Sequence, residues 1–389
     1  MDYRYYEQEF QKKYARSPLL VRSPGRINVI GEHTDYNEGF VLPAAVDKEI
    51  VLAMARNDTD TIRITALDLG EEVQFEVSQA DRVAEPWARY IAGVLLQFQQ
   101  LSMDIGGFDC AFGGTIPLGA GMSSSAALEC GVGLGMATLF DHEIEPMELV
   151  KAAQRAENEF VGVKCGIMDQ FANVFSRKDH VIRLDCRDLS YHYFPAELDT
   201  HTLLLFDTQV KHSLGSSEYN VRRSECEEGV ALIVRHFPET QINSLRDCTK
   251  EMLDQVSPRM PGKVGDRCTY VIEEIQRVEQ ACNALQTNEL DRLGKLMYET
   301  HEGLSKKYEV SCAELDFLVD QTLPMKAVAG ARMMGGGFGG CTINLVERSG
   351  KEDVVAAVKR SYSEQFDKEP KVYEVNIAEG TGTINAFAS

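Results

Sequence analysis

At residues 25–36 the chain reads GRINVIGEHTDY, which sets polar and charged side chains directly behind an apolar strand. Only Ile27, Val29 and Ile30 are typical of a hydrophobic core. Carboxylates and imidazoles exchange short hydrogen bonds with hydroxyl groups, and Arg26 adds a fixed positive charge suited to a phosphate. The stretch therefore predicts a loop that binds a ligand rich in hydroxyl groups.

The chain of 389 residues has 40 Lys and Arg against 60 Asp and Glu, so its net charge is −20. Such a surface repels nucleic acids and anionic membranes, so neither is an expected partner. The 10 cysteines form no CxxC pair, which predicts reduced thiols and a cytoplasmic protein. No apolar run approaches the length of a membrane span, and the charged, aromatic N-terminus is not that of a signal peptide.

A second stretch, PLGAGMSSSAA at residues 117–127, leads into a helix of small residues that is predicted to be buried. Its glycines permit a tight turn and a close approach to a ligand. Three serines beside the free amides of a helix start are typical of an anion site. No Walker A lysine follows, so phosphate charge would need amides, the helix dipole and Mg²⁺. A capped helix after a glycine-rich turn explains the stretch equally well.

Several further side chains have two interpretations. Glu157 shares a helix face with apolar residues, so it either binds a cation or lies at the helix rim. Asp169, in an apolar stretch, is either a functional acid or base or a residue favoured by the helix dipole. Tyr219, before two arginines at a helix start, is equally ambiguous. His301 has no evident partner and is interpreted as structural.

The glycine run GGGFGG at residues 335–340 contains GxGxxG but precedes a strand, whereas a dinucleotide fingerprint lies between a strand and a helix. We interpret it as a close backbone approach to a neighbour or ligand. Strands and helices do not alternate strictly, which favours an α+β fold over a doubly wound sheet. Residues 49–55, 61–67 and 71–77 alternate as an antiparallel meander would. A boundary is expected near residues 176–179.

A hydroxyl-rich ligand together with a phosphate suggests a sugar kinase. Residues 25–36, 117–127 and 333–343 resemble, in order and spacing, the three motifs of the GHMP kinases. The first resembles the signature of the galactokinase family, and EPWARYIAGV, AENEFVGVKCGIMDQF, SSEYNVRR and YEVSCAELD extend the resemblance over nearly the whole chain. Met122, where Leu is usual, is a mild apolar difference within these motifs.

The resemblance implies a two-lobed fold with the active site in the cleft between the lobes. The N-terminal lobe would comprise residues 1–178, and the C-terminal lobe residues 179–389, with the last residues packed back on the N-terminal lobe. It implies a cytoplasmic monomer that acts on D-galactose and ATP. The products would be galactose 1-phosphate and ADP, in the entry step of galactose catabolism.

The resemblance also implies roles for individual residues. Asp169 would accept the proton of the anomeric hydroxyl, and Arg26 would lie by the transferring phosphate. Ser125 and Glu157 would bind Mg²⁺, and Trp87 and Tyr90 would lie near the adenine. The sugar would be bound by Glu32, His33, Thr34, Asp35, Gly166 and Tyr219. The ATP phosphates would be wrapped by Gly119, Ala120, Gly121, Met122, Ser123, Ser124 and Ser125.

Two alternatives are set against this interpretation. A kinase of N-acetylgalactosamine or another sugar is the nearest, but its relatives typically have a hydrophobic residue where this chain has Thr34. A non-catalytic galactose sensor is the other, but such relatives lack part of the serine-rich loop, and here GMSSSAA is complete.

Overall fold

The computed structural model describes residues 1–117, 119–210 and 215–384, in which α-helices pack against three β-sheets. Leu118 of the predicted phosphate loop and residues 385–389 of the predicted C-terminal return lie outside the described residues. The α+β prediction is confirmed. The strands are β1 (Leu19–Asn28), β2 (Phe40–Val41), β3 (Pro43–Arg56), β4 (Thr61–Ala66), β5 (Glu71–Glu76), β6 (Phe108–Gly114), β7 (His180–Asp185), β8 (Tyr191–Pro195), β9 (His201–Asp207), β10 (Val328–Met333), β11 (Cys341–Glu347), β12 (Lys371–Val375) and β13 (Gly382–Ile384).

The helices belong to both halves of the chain. They are α1 (Tyr3–Tyr14), α2 (Ala88–Gln100), α3 (Ser124–Leu139), α4 (Pro146–Arg155), α5 (Met168–Phe175), α6 (Gly215–His236), α7 (Lys250–Val256), α8 (Val264–Gln286), α9 (Leu290–Glu302), α10 (Ala313–Thr322) and α11 (Lys351–Phe366).

The largest sheet has the strand order β13-β1-β3-β6-β4-β5. The predicted meander is wrong, because β6 lies between β3 and β4 and runs parallel to β4. Only β4 and β5 form the expected antiparallel hairpin. The physical reason is burial: nearly every residue of β6 is buried, so this strand needs neighbours on both sides, whereas the more exposed β5 occupies an edge.

The other two sheets have the orders β10-β11-β9-β12 and β2-β7-β8. Strand β7 pairs with β2, and the last described strand, β13, pairs with β1. One hydrophobic cluster extends from Leu52 in the six-stranded sheet to Tyr270 in α8. The two halves of the chain therefore share a continuous core, and the boundary after residue 178 stays a prediction.

Two α-helices continue into π-helical segments beside the site described below. Helix α4 continues as Ala156–Val161, and α9 continues as Gly303–Lys307. Such segments are rare and occur frequently at functional sites. Helix α3 is buried over most of its length, as predicted. Within the described ranges, no helix has both the length and the hydropathy needed to cross a membrane.

Candidate active site

A cavity of about 160 Å³ lies where the loop after β1 meets residues from later in the chain. Of the residues predicted to bind sugar, all but Thr34 line it. Its small size and polar lining suit a small ligand with several hydroxyl groups. The lining residues are Arg26, Glu32, His33, Asp35, Glu157, Val163, Cys165, Gly166, Met168, Asp169, Tyr219, Gly335 and Gly336.

Thr34 shapes the loop from inside. Its side chain is fully buried, and its hydroxyl lies 2.9 Å from the carbonyl oxygen of Gly31 and 2.6 Å from that of Phe40. His33 beside it has a left-handed φ of 63°, which is uncommon for a residue with a Cβ. Asn37 Nδ2 donates to the His33 carbonyl at 3.0 Å and so holds this turn. The hydroxyl of Thr34 is therefore directed at the backbone, whereas its neighbours line the cavity.

Asp169 and Arg26 form a two-point ion pair at the cavity. Arg26 Nε and Nη2 donate to the two carboxylate oxygens at 2.7 and 2.8 Å. Arg26 Nη1 donates to the Gly121 carbonyl at 2.5 Å, and Ser123 Oγ donates to Asp169. Asp169 is also in the first turn of α5, where the helix dipole favours a carboxylate, and its role as an acid or base stays a prediction. One guanidinium thereby joins the candidate base to the glycine-rich loop.

Glu32 pairs with Arg332, a cation that nothing in the sequence near Glu32 indicates. Arg332 is fully buried and its Nη2 donates to Glu32 Oε1 at 3.1 Å. The Gly335 amide donates to the same oxygen at 2.9 Å, and the Tyr270 hydroxyl donates to the Glu32 carbonyl at 2.9 Å. A buried carboxylate requires such donors, but nothing in the local sequence indicates which later residues supply them.

Asp35 is partly buried and packs against Gly166. A Cβ at Gly166 would stand 1.8 Å from the Asp35 carboxylate, so no other residue fits there without displacement. Burial, and then the nearby charge of Asp169, raises the pKa of Asp35 to about 7. Both effects disfavour a second negative charge in a small cavity.

His33 is buried in a cluster of aromatic rings. Its ring centroid lies 5.3 Å from that of Tyr219 and 4.9 Å from that of Tyr308. Its Nδ1 is 2.8 Å from the Tyr36 hydroxyl, whereas its Nε2 has no hydrogen-bond partner among the described residues. Burial lowers the pKa of His33 to about 4, so the imidazole is neutral near pH 7.

Glu157 lies in the π-helical segment and is buried, so it is not an exposed helix-rim residue. Gln170 Nε2 donates to Glu157 Oε2 at 2.7 Å and to Glu129 Oε2 at 3.1 Å. The Cys165 thiol donates to Glu157 at 3.4 Å. The apolar face that the helical spacing indicates is therefore real, and the carboxylate is satisfied by donors from α5 and its preceding loop.

The electrostatics of Glu157 reflect this burial. Burial, and then the charge of Asp169, raises the pKa of Glu157 to about 7, while a hydrogen bond with the Ser125 side chain acts in the opposite direction. Ser125 and Glu157 thus present a hydroxyl and a carboxylate to each other. No cluster of three or more acidic, His or Cys side chains with metal-binding geometry occurs in the described part of the chain.

The glycine-rich loop lies against the glycine run 335–340. Gly121 has a left-handed φ of 74°, and Met122, which is buried, accepts a hydrogen bond from the Arg26 amide at 3.1 Å. A Cβ at Gly335 would lie 3.5 Å from the Gly121 carbonyl, and one at Gly337 would lie 2.1 Å from the Val310 carbonyl, so the predicted close backbone approach of the run is confirmed. Ala120 is buried, whereas Gly119 is exposed at the tip of the loop.

A larger cavity of about 540 Å³ opens beside the start of α3. Ser124 and Ser125 line it together with Trp87 and Tyr90, so the structure brings the predicted base-binding residues to the serine-rich loop. Trp87 Nε1 donates to Glu71 at 2.6 Å. The remaining lining residues are Ile50, Ala66, Asp68, Leu69, Ala84, Pro86, Arg89, Phe112, Gly113, Gly114, Ile116, Leu128 and Val161.

The structure also shows the partners of His301 and the roles of two tyrosines that the sequence does not single out. His301 has partners after all, because its Nδ1 accepts from the Met333 amide at 3.1 Å and its Nε2 lies 3.2 Å from Asp316. These contacts agree with a structural role. Tyr36 is the last residue of the stretch 25–36, so its place beside the candidate sugar-binding residues is a signal that the sequence offers. Tyr308 carries no local signal that connects it with this stretch.

Comparison with known protein families matches three parts of the chain. Residues 8–56 match the galactokinase galactose-binding signature, residues 89–177 the N-terminal domain of GHMP kinases, and residues 281–364 their C-terminal domain. Galactokinase of Thermotoga neapolitana is 40% identical over 94% of this chain and 100% of its own length. Galactokinase of Roseiflexus is 38% identical over 97% of this chain and 96% of its own length.

Solved structures give the same relationship. The crystal structure of Lactococcus lactis galactokinase with galactose superposes with a TM-score of 0.93, at 30% identity, over 97% of this chain and 98% of that one. Mevalonate kinase of Methanococcus jannaschii superposes with a TM-score of 0.68 at 17% identity, over 93% of this chain and 99% of that one. The more distant likeness concerns the fold alone.

Proposed function

The chain belongs to the galactokinase family of GHMP kinases, and we propose that it transfers the γ-phosphoryl group of ATP to the anomeric hydroxyl of D-galactose. The products are galactose 1-phosphate and ADP. The observation that carries this proposal is the two-point pair of Asp169 and Arg26, which joins the hydroxyl-binding cavity to the glycine-rich loop.

Sugar binding is assigned to the residues that line the smaller cavity. Glu32, His33 and Asp35 supply the main polar groups, Tyr219 adds a hydroxyl from α6, and Gly166 leaves room beside Asp35. Buried polar groups that are satisfied only by the correct hydroxyls reject sugars in which a hydroxyl is missing or inverted. Thr34 supports this site by holding the loop, with its hydroxyl bonded to the backbone.

Catalysis requires mainly positioning and neutralisation of charge, because the phosphoryl group passes through a loose transition state. Asp169 orients the anomeric hydroxyl and accepts its proton. Arg26 stabilises the Asp169 carboxylate and offers its charge to the transferring phosphoryl group. The fork of Arg26 also fixes the distance between the base and the phosphate loop.

ATP binding is assigned to the loop 119–125 and the larger cavity. The amides at the start of α3 suit phosphate oxygens, because helix N-termini have unpaired donors and a positive dipole end. The cavity of about 540 Å³ beside Ser124 is large enough for a nucleoside. Trp87 and Tyr90 supply flat surfaces for the adenine.

The residues present also fit Mg²⁺. The Ser125 hydroxyl and the Glu157 carboxylate are hard oxygen ligands, and Mg²⁺ in kinases is usually held by one or two such groups with phosphate oxygens and water. The ion would neutralise phosphate charge that no Walker A lysine balances.

A panel of sugars tests the substrate. Galactose, glucose and N-acetylgalactosamine are assayed with ATP and one enzyme preparation. Glucose inverts one ring hydroxyl and leaves about two buried groups unpaired, which lowers kcat/KM by roughly 30-fold to more than 10⁴-fold. Comparable rates with glucose, or a faster rate with N-acetylgalactosamine, would reject galactose while leaving a sugar kinase. Absence of turnover with bound galactose would indicate a sensor.

The proposal extends to the setting of the enzyme. We expect a monomer in the cytoplasm that takes only small-molecule substrates, without nucleic-acid or membrane partners. The net charge of −20 supports the exclusion of polyanions. Light scattering of the purified chain measures the oligomeric state directly.

A further inference from the structure

His33 Nε2 has no hydrogen-bond partner among the described residues, and a row of hydroxyl groups lies on the other side of the ring. His33 Nδ1 is 2.8 Å from the Tyr36 hydroxyl, which is 2.7 Å from the Tyr308 hydroxyl. The Tyr308 hydroxyl is 3.3 Å from Cys226 Sγ. Tyr308 and Cys226 are buried. These four side chains, here named the His33 chain, lead from the cavity into the interior.

Each hydroxyl in the His33 chain has one proton to donate, so its polarity is restricted. Two oxygens at 2.7 Å need a proton between them. Each bond has one proton, and no hydroxyl proton is left over, only when every proton points toward His33 or every proton points toward Cys226. The first arrangement leaves the ring proton on Nε2, and the second leaves it on Nδ1.

Acceptor strength favours protons that point toward His33. An imidazole nitrogen is a stronger acceptor than a phenol oxygen, and a thiol sulfur is a weak acceptor. The arrangement that ends on His33 Nδ1 therefore uses the best acceptor of the His33 chain. With Nδ1 accepting from Tyr36, the one proton of the neutral imidazole belongs to Nε2.

We infer that Cys226, Tyr308 and Tyr36 are positioning residues that hold His33 protonated at Nε2, so that the imidazole donates a hydrogen bond to a sugar hydroxyl. The Nε2 atom is buried and lacks a partner among the described residues, and His33 lines the cavity. Only the identity of the acceptor rests on the proposed function. The direction of the His33 chain rests on its hydrogen-bond distances and on the relative acceptor strengths of its groups.

The fold explains why these groups meet. Tyr219, Arg222 and Cys226 recur at helical spacing on one face of α6, so one helix contributes both a cavity residue and the end of the His33 chain. Arg222 Nε donates to the Tyr308 carbonyl at 2.8 Å and fixes its backbone. Tyr308 directly follows the π-helical segment Gly303–Lys307, which reorients the chain after α9.

Nitrogen NMR of the ¹⁵N-histidine-labelled protein tests the direction without substrate. The His33 resonances are assigned by their loss in His33→Gln. At neutral pH we expect a protonated Nε2 and an unprotonated Nδ1. A protonated Nδ1 in the wild-type protein would overturn the inference, whatever the sugar specificity proves to be.

Variants test whether the His33 chain keeps the imidazole protonated at Nε2. In Tyr308→Phe and Cys226→Ala we expect a second His33 species protonated at Nδ1 and a fall in kcat/KM for galactose of about 5- to 100-fold. Cys226→Ser retains a donor and should restore both properties. Tyr298→Phe is the matched control, because it removes a tyrosine hydroxyl that bonds Thr322 at 2.9 Å outside the cavity.

The outcomes separate the two proposals. Unchanged tautomers and unchanged kcat/KM in Tyr308→Phe and Cys226→Ala would reject the positioning role. Equal losses in Cys226→Ala and Cys226→Ser, or a loss in Tyr298→Phe as large as that in Tyr308→Phe, would also reject it. If the wild-type protein did not phosphorylate galactose, the proposed function would fail, while the NMR result would still decide the direction of the His33 chain.

Discussion

Arg26 and Asp169 are 143 positions apart in the chain and meet through two parallel hydrogen bonds of 2.7 and 2.8 Å. Arg26 belongs to β1 and Asp169 to the first turn of α5. Two-point pairs of this kind fix orientation as well as distance. Because Arg26 also bonds the Gly121 carbonyl, a shift of any one of these three elements moves the other two.

Removing the candidate base tests its role. Asp169→Asn keeps the shape of the side chain but cannot accept a proton, and it removes a charge beside Arg26. We expect a folded protein whose kcat falls by about 10²- to 10⁴-fold. Calorimetry of galactose binding checks that the cavity is retained. A kcat near the wild-type value would leave Asp169 with a positioning role only.

Replacing the guanidinium tests its geometry. Arg26→Lys keeps the positive charge but loses the planar fork, so we expect kcat to fall by roughly 10- to 100-fold. Arg63→Lys is a matched control, because Arg63 forms the same two-point pair with Asp109, at 2.6 and 2.8 Å, outside the cavity. Similar activities of the two variants would mean that diffuse charge at Arg26 is sufficient.

The metal assignment is tested by titration. If Glu157 binds Mg²⁺ with Ser125, Glu157→Gln should raise the Mg²⁺ concentration needed for half-maximal rate, because a neutral amide binds the ion more weakly. Galactose binding without nucleotide should change little. The control is Glu129→Gln, which alters the other carboxylate bonded by Gln170. An identical Mg²⁺ titration in Glu157→Gln and wild type would contradict the assignment.

The pH dependence of galactose binding tests Asp35. Its pKa is raised to about 7, chiefly by burial, and the ionised carboxylate is the better acceptor for sugar hydroxyls. We expect the affinity of the nucleotide-free protein for galactose to weaken by about tenfold per pH unit below pH 7. In Asp35→Asn the affinity should be low and independent of pH. An identical pH profile in both proteins would exclude Asp35 as its source.

The same pKa predicts an effect on stability. Because the folded-state pKa of Asp35 lies above its ordinary value of 3.8, the folded protein binds this proton more tightly than the unfolded chain. The stabilisation by protonated Asp35 is complete below pH 3.8 and is lost as the pH rises through about 7. Asp35→Asn should therefore raise Tm more at about pH 8 than at about pH 5. The opposite order in thermal melts would contradict the raised pKa.

Sequence reasoning succeeded where a feature depends on neighbours along the chain. The alternation of polar and apolar residues indicates local burial, so β4 and β5 lie close to the predicted segments 61–67 and 71–77, and α3 is buried as predicted. Sequence reasoning failed to predict which strands pair, because the alternation of polar and apolar residues in a strand is the same whichever strand lies beside it. The insertion of β6 between β3 and β4 follows from how much of each strand the completed core buries.

By itself, then, the sequence determined which chemical groups stand together in the stretch 25–36 and in the glycine-rich loop, because those groups are covalently close. Only the tertiary structure decided which partners they have. Arg332 reaches Glu32 across 300 positions, and Tyr308 reaches Tyr36 across 272. Such contacts arise from the packing of whole helices and sheets, and a buried polar group is satisfied by whichever donor that packing brings within hydrogen-bond distance.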